Sequence, residues 1–178
     1  VNSRFSDFSP SFGNGEYSEI YFTSSRNGGF SNKIDDRTGE TFTDLYSSKL
    51  NKKGKWSVPE MLPEPINTEG NEGSVALNKR GTTMYFTKCE VKKKKALGCS
   101  IYVSNRKGKI WGPPTLLQIK VDSNTTLGHP TINEDESILI FSSDLDGGYG
   151  GKDLWIVKQQ TRGKWSIPVN LGPAVNTK

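Results

Sequence analysis

Apolar residues in this chain come in short bursts rather than long stripes, and the bursts recur. The densest are Ile20-Tyr21-Phe22-Thr23, Met84-Tyr85-Phe86-Thr87 and Leu139-Ile140-Phe141-Ser142. Each is apolar on successive positions, the pattern of a strand covered on both faces. A shorter strand is expected before each, at 9–12, 74–77 and 130–132. The turns between them are Gly13-Asn14-Gly15, Asn78-Lys79-Arg80-Gly81 and Asn133-Glu134-Asp135-Glu136. Asn and Gly tolerate the positive φ of tight hairpins. After each burst comes a glycine-rich or charged connection, long in the first copy (27–41) and compact in the third (144–151).

A third strand then opens on a small polar residue and turns apolar: Asp44-Leu45-Tyr46, Ser100-Ile101-Tyr102 and Asp153-Leu154-Trp155. The aspartate at its start is expected to accept hydrogen bonds from turn amides. A fourth strand carries Gly54-Lys55-Trp56-Ser57-Val58-Pro59, Lys109-Ile110-Trp111-Gly112-Pro113 and Gly163-Lys164-Trp165-Ser166-Ile167-Pro168. Proline has no N–H to donate, so this strand should be an outer edge. Trp56, Trp111 and Trp165 recur at one position. A residue repeated in every copy serves the repeat, so packing on a neighbouring sheet is expected before a ligand cage.

The whole pattern repeats. Val1-Asn2-Ser3, Ile66-Asn67-Thr68, Val121-Asp122-Ser123 and Val175-Asn176-Thr177 open successive copies, 65, 55 and 54 positions apart. That period suits a four-stranded propeller blade. The expected fold is all-β: a β-propeller segment of about three four-stranded blades. Blade one is 1–65 with the long insertion, blade two 66–120 with a Cys/Lys loop, and blade three 121–174. Residues 175–178 begin a fourth unit. A ring needs at least four blades, so the segment is expected to belong to a larger propeller of about six.

Composition adds little to this picture. The 19 Gly and 9 Pro fall between the aromatic clusters, where turns belong. A net charge of +5 permits anionic partners without naming one. The run Lys92-Lys93-Lys94-Lys95 is expected in a solvated connection. No basic groove with interleaved aromatics accompanies it, so no nucleic-acid partner is expected. No apolar run approaches the ~20 residues that span a bilayer. Cys89 and Cys99 sit at the end of one expected strand and the start of the next, where a hairpin brings them close. A disulfide is expected in an oxidising compartment, with free thiols as the alternative.

Candidate chemistry is sparse. The run Gly147-Gly148-Tyr149-Gly150-Gly151-Lys152 fails as a phosphate loop, since Asp146 and Asp153 stand where Gly and Ser/Thr are required. Asp144, Asp146 and Asp153 form a weak Ca²⁺ candidate, weighed against an Asp-Gly turn with a capping aspartate. No other cofactor is expected. His129, the only histidine, precedes Pro130 where the other units carry Ser9 and Ser74, and is expected to be partly buried at the start of a strand. No nucleophile elbow appears, and an enzyme is not expected.

The combination of Tyr-Phe-Thr-Ser, a Gly-Gly turn, Asp-Leu-Tyr/Trp, Gly-Lys-Trp-Ser-x-Pro and Val-Asn-Thr resembles the periplasmic WD-repeat-like (PD-type) propeller family. The match is clearest over 141–177, and the second unit departs from it, with Ser100 in place of the aspartate. The resemblance implies a periplasmic or outer-membrane-associated setting. In Bacteroidota such propellers lie in OmpA-family and type IX secretion or gliding proteins. A non-catalytic scaffold for envelope proteins is therefore expected, with peptidoglycan contacted through another domain. The alternatives are a carbohydrate- or peptidoglycan-binding propeller and a propeller gating a peptidase elsewhere in a parent chain. Segments that break the repeat map to surface loops free of packing duties. Asn27, Phe30, Lys92, Lys93, Lys94, Lys95 and Tyr149 are thus the candidate partner contacts.

Overall fold

The computed structural model describes the chain except Lys93, Lys94, Lys120, Ser123 and Arg162, and describes only the backbone of the remaining residues of 90–97. Three separate antiparallel sheets follow one another. Strands β1 (Asp7–Phe12), β2 (Glu19–Ser24), β3 (Asp44–Lys49) and β4 (Glu60–Met61) pair in that order. The second sheet is β5 (Asn71–Leu77), β6 (Thr83–Lys92), β7 (Lys95–Lys107) and β8 (Ile110–Trp111), with β9 (Thr115–Leu116) also on β7. The third is β10 (Leu127–Ile132), β11 (Ile138–Ser143), β12 (Asp153–Thr161) and β13 (Lys164–Trp165), with β14 (Val169–Asn170) also on β12. Each sheet is one blade of a β-propeller.

The outer edge differs from the single fourth strand expected. In blades two and three it is two short pieces, β8 with β9 and β13 with β14, each pairing the same third strand. Blade one repeats this with a lone Leu50–Trp56 bridge followed by β4. Pro59, Pro113 and Pro168 fall in the gaps, where a missing N–H interrupts the ladder. The lysine run differs too. Lys92 and Lys95 face each other as paired strand residues of a long β6–β7 hairpin, so the strands run further than the apolar pattern shows. Lys93 and Lys94 lie outside the described residues.

The cores lie between blades. Tyr21, Leu45 and Leu62 of blade one and Ile66, just beyond it, share one cluster with Val75, Leu77, Met84, Phe86 and Trp111 of blade two. Tyr85, Ile101 and Ile119 of blade two share another with Leu139, Phe141, Val157 and Trp165 of blade three. Trp111 meets the Tyr21 ring edge-on, with centroids 5.8 Å apart, and its Nε1–H donates to the Tyr21 hydroxyl at 3.3 Å. Trp111 thus packs on the preceding blade, and Trp165 joins the core shared by blades two and three. Trp56 of blade one is only half-buried.

A buried asparagine ties each of blades one and three together. The Asn67 carboxamide accepts the Leu45 N–H at 2.8 Å and donates to the carbonyls of Leu45 (2.9 Å) and Leu62 (2.8 Å). Asn176 does the same for Leu154, at 2.8 and 3.0 Å. The Val-Asn-Thr motif therefore completes the blade it follows.

Candidate functional site: an axial mouth

The innermost strands β1, β5 and β10 lie side by side toward the propeller axis. Each carries a register shift, between Phe8 and Ser11, Gly73 and Ala76, and Gly128 and Thr131. At each bulge one non-glycine residue takes a left-handed conformation: Ser9 (φ 51°), Ser74 (φ 48°) and His129 (φ 53°). That backbone costs about 1–3 kcal/mol and persists only where its surroundings hold it. The neighbouring blade supplies the hold. The Ser74 N–H donates to Thr23 Oγ1 and the His129 N–H to Thr87 Oγ1, both at 2.9 Å. The threonine methyls also explain the glycines before the bulges: a Cβ on Gly73 or Gly128 would stand 3.2 Å from Cγ2 of Thr23 or Thr87.

The bulges align their side chains across blades. His129 Nδ1 lies 2.8 Å from Ser74 Oγ, and Ser9 Oγ donates to Ser74 Oγ at 3.4 Å. His129 is exposed and mid-strand, not partly buried at a strand start. Its pKa is pushed down, first by desolvation and then by Lys152. Sequence reasoning noted that His129 replaces the serine of the other units but missed that the three residues would meet.

Beside this row lies a cavity of about 320 Å³. Its wall takes Ser74 and His129 from the bulges, Asp35, Arg37, Thr38 and Glu40 from the insertion, both cysteines, and Lys152. The insertion is folded back onto blade one. The Glu40 carboxylate accepts the Ser25 hydroxyl and, at 3.3 Å, the Ser6 N–H, which lower its pKa. Thr41 Oγ1 donates to the Ser25 carbonyl at 2.7 Å. Asp35 grips Arg37 at 2.6 Å, and that hydrogen bond leads the lowering of its pKa. Also in the wall, Cys89 and Cys99 stand directly across the β6–β7 ladder and form a disulfide. The floor includes Glu72, fully buried, whose carboxylate takes the Thr68 N–H (3.1 Å) and hydroxyl (2.6 Å). Burial pushes its pKa up.

The other expected contacts sit elsewhere. Asn27 is exposed and Phe30 half-buried, and neither lines the cavity. Phe30 matters through its backbone, whose N–H donates to Asp44 Oδ2 at 2.8 Å. The Tyr149 ring is exposed outside the mouth, and its N–H donates to Asp153 Oδ2 at 2.5 Å. Both aspartates thus accept turn amides. Asp153 also takes the Gly150 N–H at 3.2 Å and Asn170 Nδ2 at 2.9 Å. Asp144 Oδ1 accepts the Thr126 N–H at 2.7 Å. Asp144 and Asp146 border an open groove with Asp122, to which Asp153 does not contribute. Among the described residues no group of three or more His, Cys, Asp or Glu is placed to hold a metal ion.

No protein-family model and no curated protein matches the chain. Solved structures do. TolB from Acinetobacter baumannii superposes with a TM-score of 0.56 at 15% identity, over 94% of this chain and 33% of TolB. Trypanosoma rangeli sialidase in complex with the inhibitor DANA superposes at 0.50 and 11% identity, over 91% of this chain and 30% of the sialidase. The likeness is one of fold. The chain spans about a third of the length of either protein, as three consecutive propeller blades. In those terms, the mouth sits where inner strands and inter-strand connections of all three blades meet. The two segments that break the repeat, the insertion and the disulfide hairpin, both line it.

Proposed function

We propose that this chain is the partner-binding part of a β-propeller of the bacterial cell envelope, and that it acts without catalysis and without a resident cofactor. A segment of a partner protein docks in the axial mouth. The convergence of the two non-repeating segments on one cavity carries this proposal. Residues released from repeat packing are free to be shaped by a ligand, and a cavity of this size takes a few side chains. Arg37 and Lys152 on its rim offer charge to polar or acidic groups. The disulfide supports an oxidising compartment, and the sequence resemblance supports the periplasmic side of an outer membrane. The same resemblance favours a type IX secretion or gliding assembly, with peptidoglycan held by another domain.

The Ser74–His129 contact has a structural use in this proposal. The Ser74 hydroxyl is buried and shared with Ser9, and links three blades.

Affinity capture from solubilised envelopes tests the proposal. The expected result is that Arg37→Glu with Lys152→Glu loses the partner, while the outer-edge variant Val58→Glu keeps it. Retention by the mouth variant would contradict the proposal, as would selective binding on a glycan array with no protein partner.

A further inference from the structure

Blade three departs from the other two at two positions of the repeat, and both departures bring a nitrogen to the axial mouth. The first is the bulge residue, Ser9 and Ser74 in blades one and two but His129 in blade three. The second precedes Asp44, Ser100 and Asp153, which share one register position on the third strands. It is Thr43 in blade one, Cys99 in blade two and Lys152 in blade three, and all three line the mouth.

The bulge row fixes which His129 nitrogen carries the proton. Ser74 is buried, and its Oγ accepts the Ser9 hydroxyl at 3.4 Å. Among the described residues His129 Nδ1, at 2.8 Å, is the one acceptor placed for the Ser74 proton. A buried hydroxyl does not leave its proton unspent, so Ser74 donates to Nδ1 and the ring proton sits on Nε2. Desolvation and the Lys152 charge hold the pKa below the ordinary 6.5, which keeps the ring neutral near pH 7. His129 and Lys152 are both exposed in the mouth. Neither Nε2 nor the Lys152 ammonium has a partner among the described residues.

The carboxylates of the wall are already occupied. Asp35 takes Nε and Nη2 of Arg37, at 3.0 and 2.6 Å. Glu40 takes the Ser25 hydroxyl and the Ser6 N–H. Glu72 takes Thr68 twice and stands 3.8 Å from Lys88 Nζ. The ionisable groups left unspent are therefore donors, and their complement is an anion. One cation beside one neutral N–H matches a single negative charge, and Glu40 in the same wall disfavours a dianion.

We propose that His129 Nε2–H and the Lys152 ammonium hold a carboxylate of the segment bound in the mouth, from an acidic side chain or a chain terminus, an assignment that rests on the mouth being a partner site.

His129 is the only histidine, so its ring signals report the site directly by NMR. The probes are Gly-Gly-Glu-Gly-Gly capped at both ends, its capped Gln analogue, acetylated pentaglycine with a free C-terminus, and inorganic phosphate. The ring is expected to carry its proton on Nε2. A carboxylate peptide is expected to shift both ring nitrogens with a Kd on the order of 1 mM. It should also raise the midpoint of the His129 titration by about one pH unit, because a carboxylate beside the ring favours imidazolium. The tighter of the two carboxylate peptides identifies the source. His129→Ser keeps the bulge, since serine holds it in blades one and two. By ligand-observed NMR, this variant and Lys152→Gln are each expected to weaken binding about tenfold, while Lys55→Gln, away from the mouth, leaves it unchanged. A proton on Nδ1, no shift from either carboxylate peptide, equal binding of the Gln analogue, tighter binding of phosphate, or equal weakening by Lys55→Gln would each overturn the proposal. Carboxylate binding by a chain that captures no envelope protein would uphold the subsite and contradict the partner reading. Undiminished capture by His129→Ser would overturn the subsite alone.

Discussion

Asp44 and Asp153 occupy the same position of the repeat, yet their carboxyls shift in opposite directions. Asp153 is held below its usual range, first by the Tyr149 amide. Asp44 is buried, takes one amide and leaves Oδ1 without a hydrogen-bond partner. Burial pushes it up to about 6 from an ordinary 3.8, against the pull of the Phe30 amide. A raised carboxyl favours the protonated folded state. Its contribution is complete below pH 3.8 and is lost as the pH climbs to about 6. Asp44→Asn is therefore expected to stabilise the protein by about 1–3 kcal/mol above pH 6 and by progressively less toward pH 4. Thermal melts across that window check it, and a gain independent of pH would contradict it. The sequence showed that both aspartates cap turns. It could not show how many amides each turn delivers, because that depends on loop length, and the insertion changes the loop in blade one.

The strands were legible where chemistry marks them locally, and less so where pairing decides. Successive apolar residues marked β2, β6 and β11, because burial between blades leaves no polar face. The split outer edge was only half visible: the prolines indicated an edge, but that the edge resumes beyond them depends on pairing to a strand far along the chain. The extension of β6 and β7 through Lys92 and Lys95 was invisible in polar residues, since backbone pairing sustains it. The disulfide braces this hairpin beside the mouth. Closing a loop of 10-residue separation should contribute about 2–3 kcal/mol. Reductant is expected to lower the melting temperature of the wild type to that of the Cys89→Ala/Cys99→Ala variant. An unchanged melting temperature would show that the ladder alone holds the hairpin.

For the whole molecule, the repeat period carried the architecture, because every blade needs the same strands to bury the same faces. The mouth was only partly foreseen. The insertion and the Cys89–Cys99 segment stand out as departures from the repeat, but sequence distance hides that they line one cavity. Arg37, Glu40 and Lys152 carry no signature of their own; the packing of three blades gathers them with His129. Asn27, Phe30 and Tyr149 stand out in sequence as loop residues, yet none of them lines the cavity. Site-specific photo-crosslinking in the native envelope tests the central claim most directly, with a crosslinker at Thr38 in the mouth and, in a second protein, at Val58 on the outer edge. The account predicts that Thr38 captures a discrete protein partner and Val58 does not. Capture from Val58 alone, or from neither position, would contradict it.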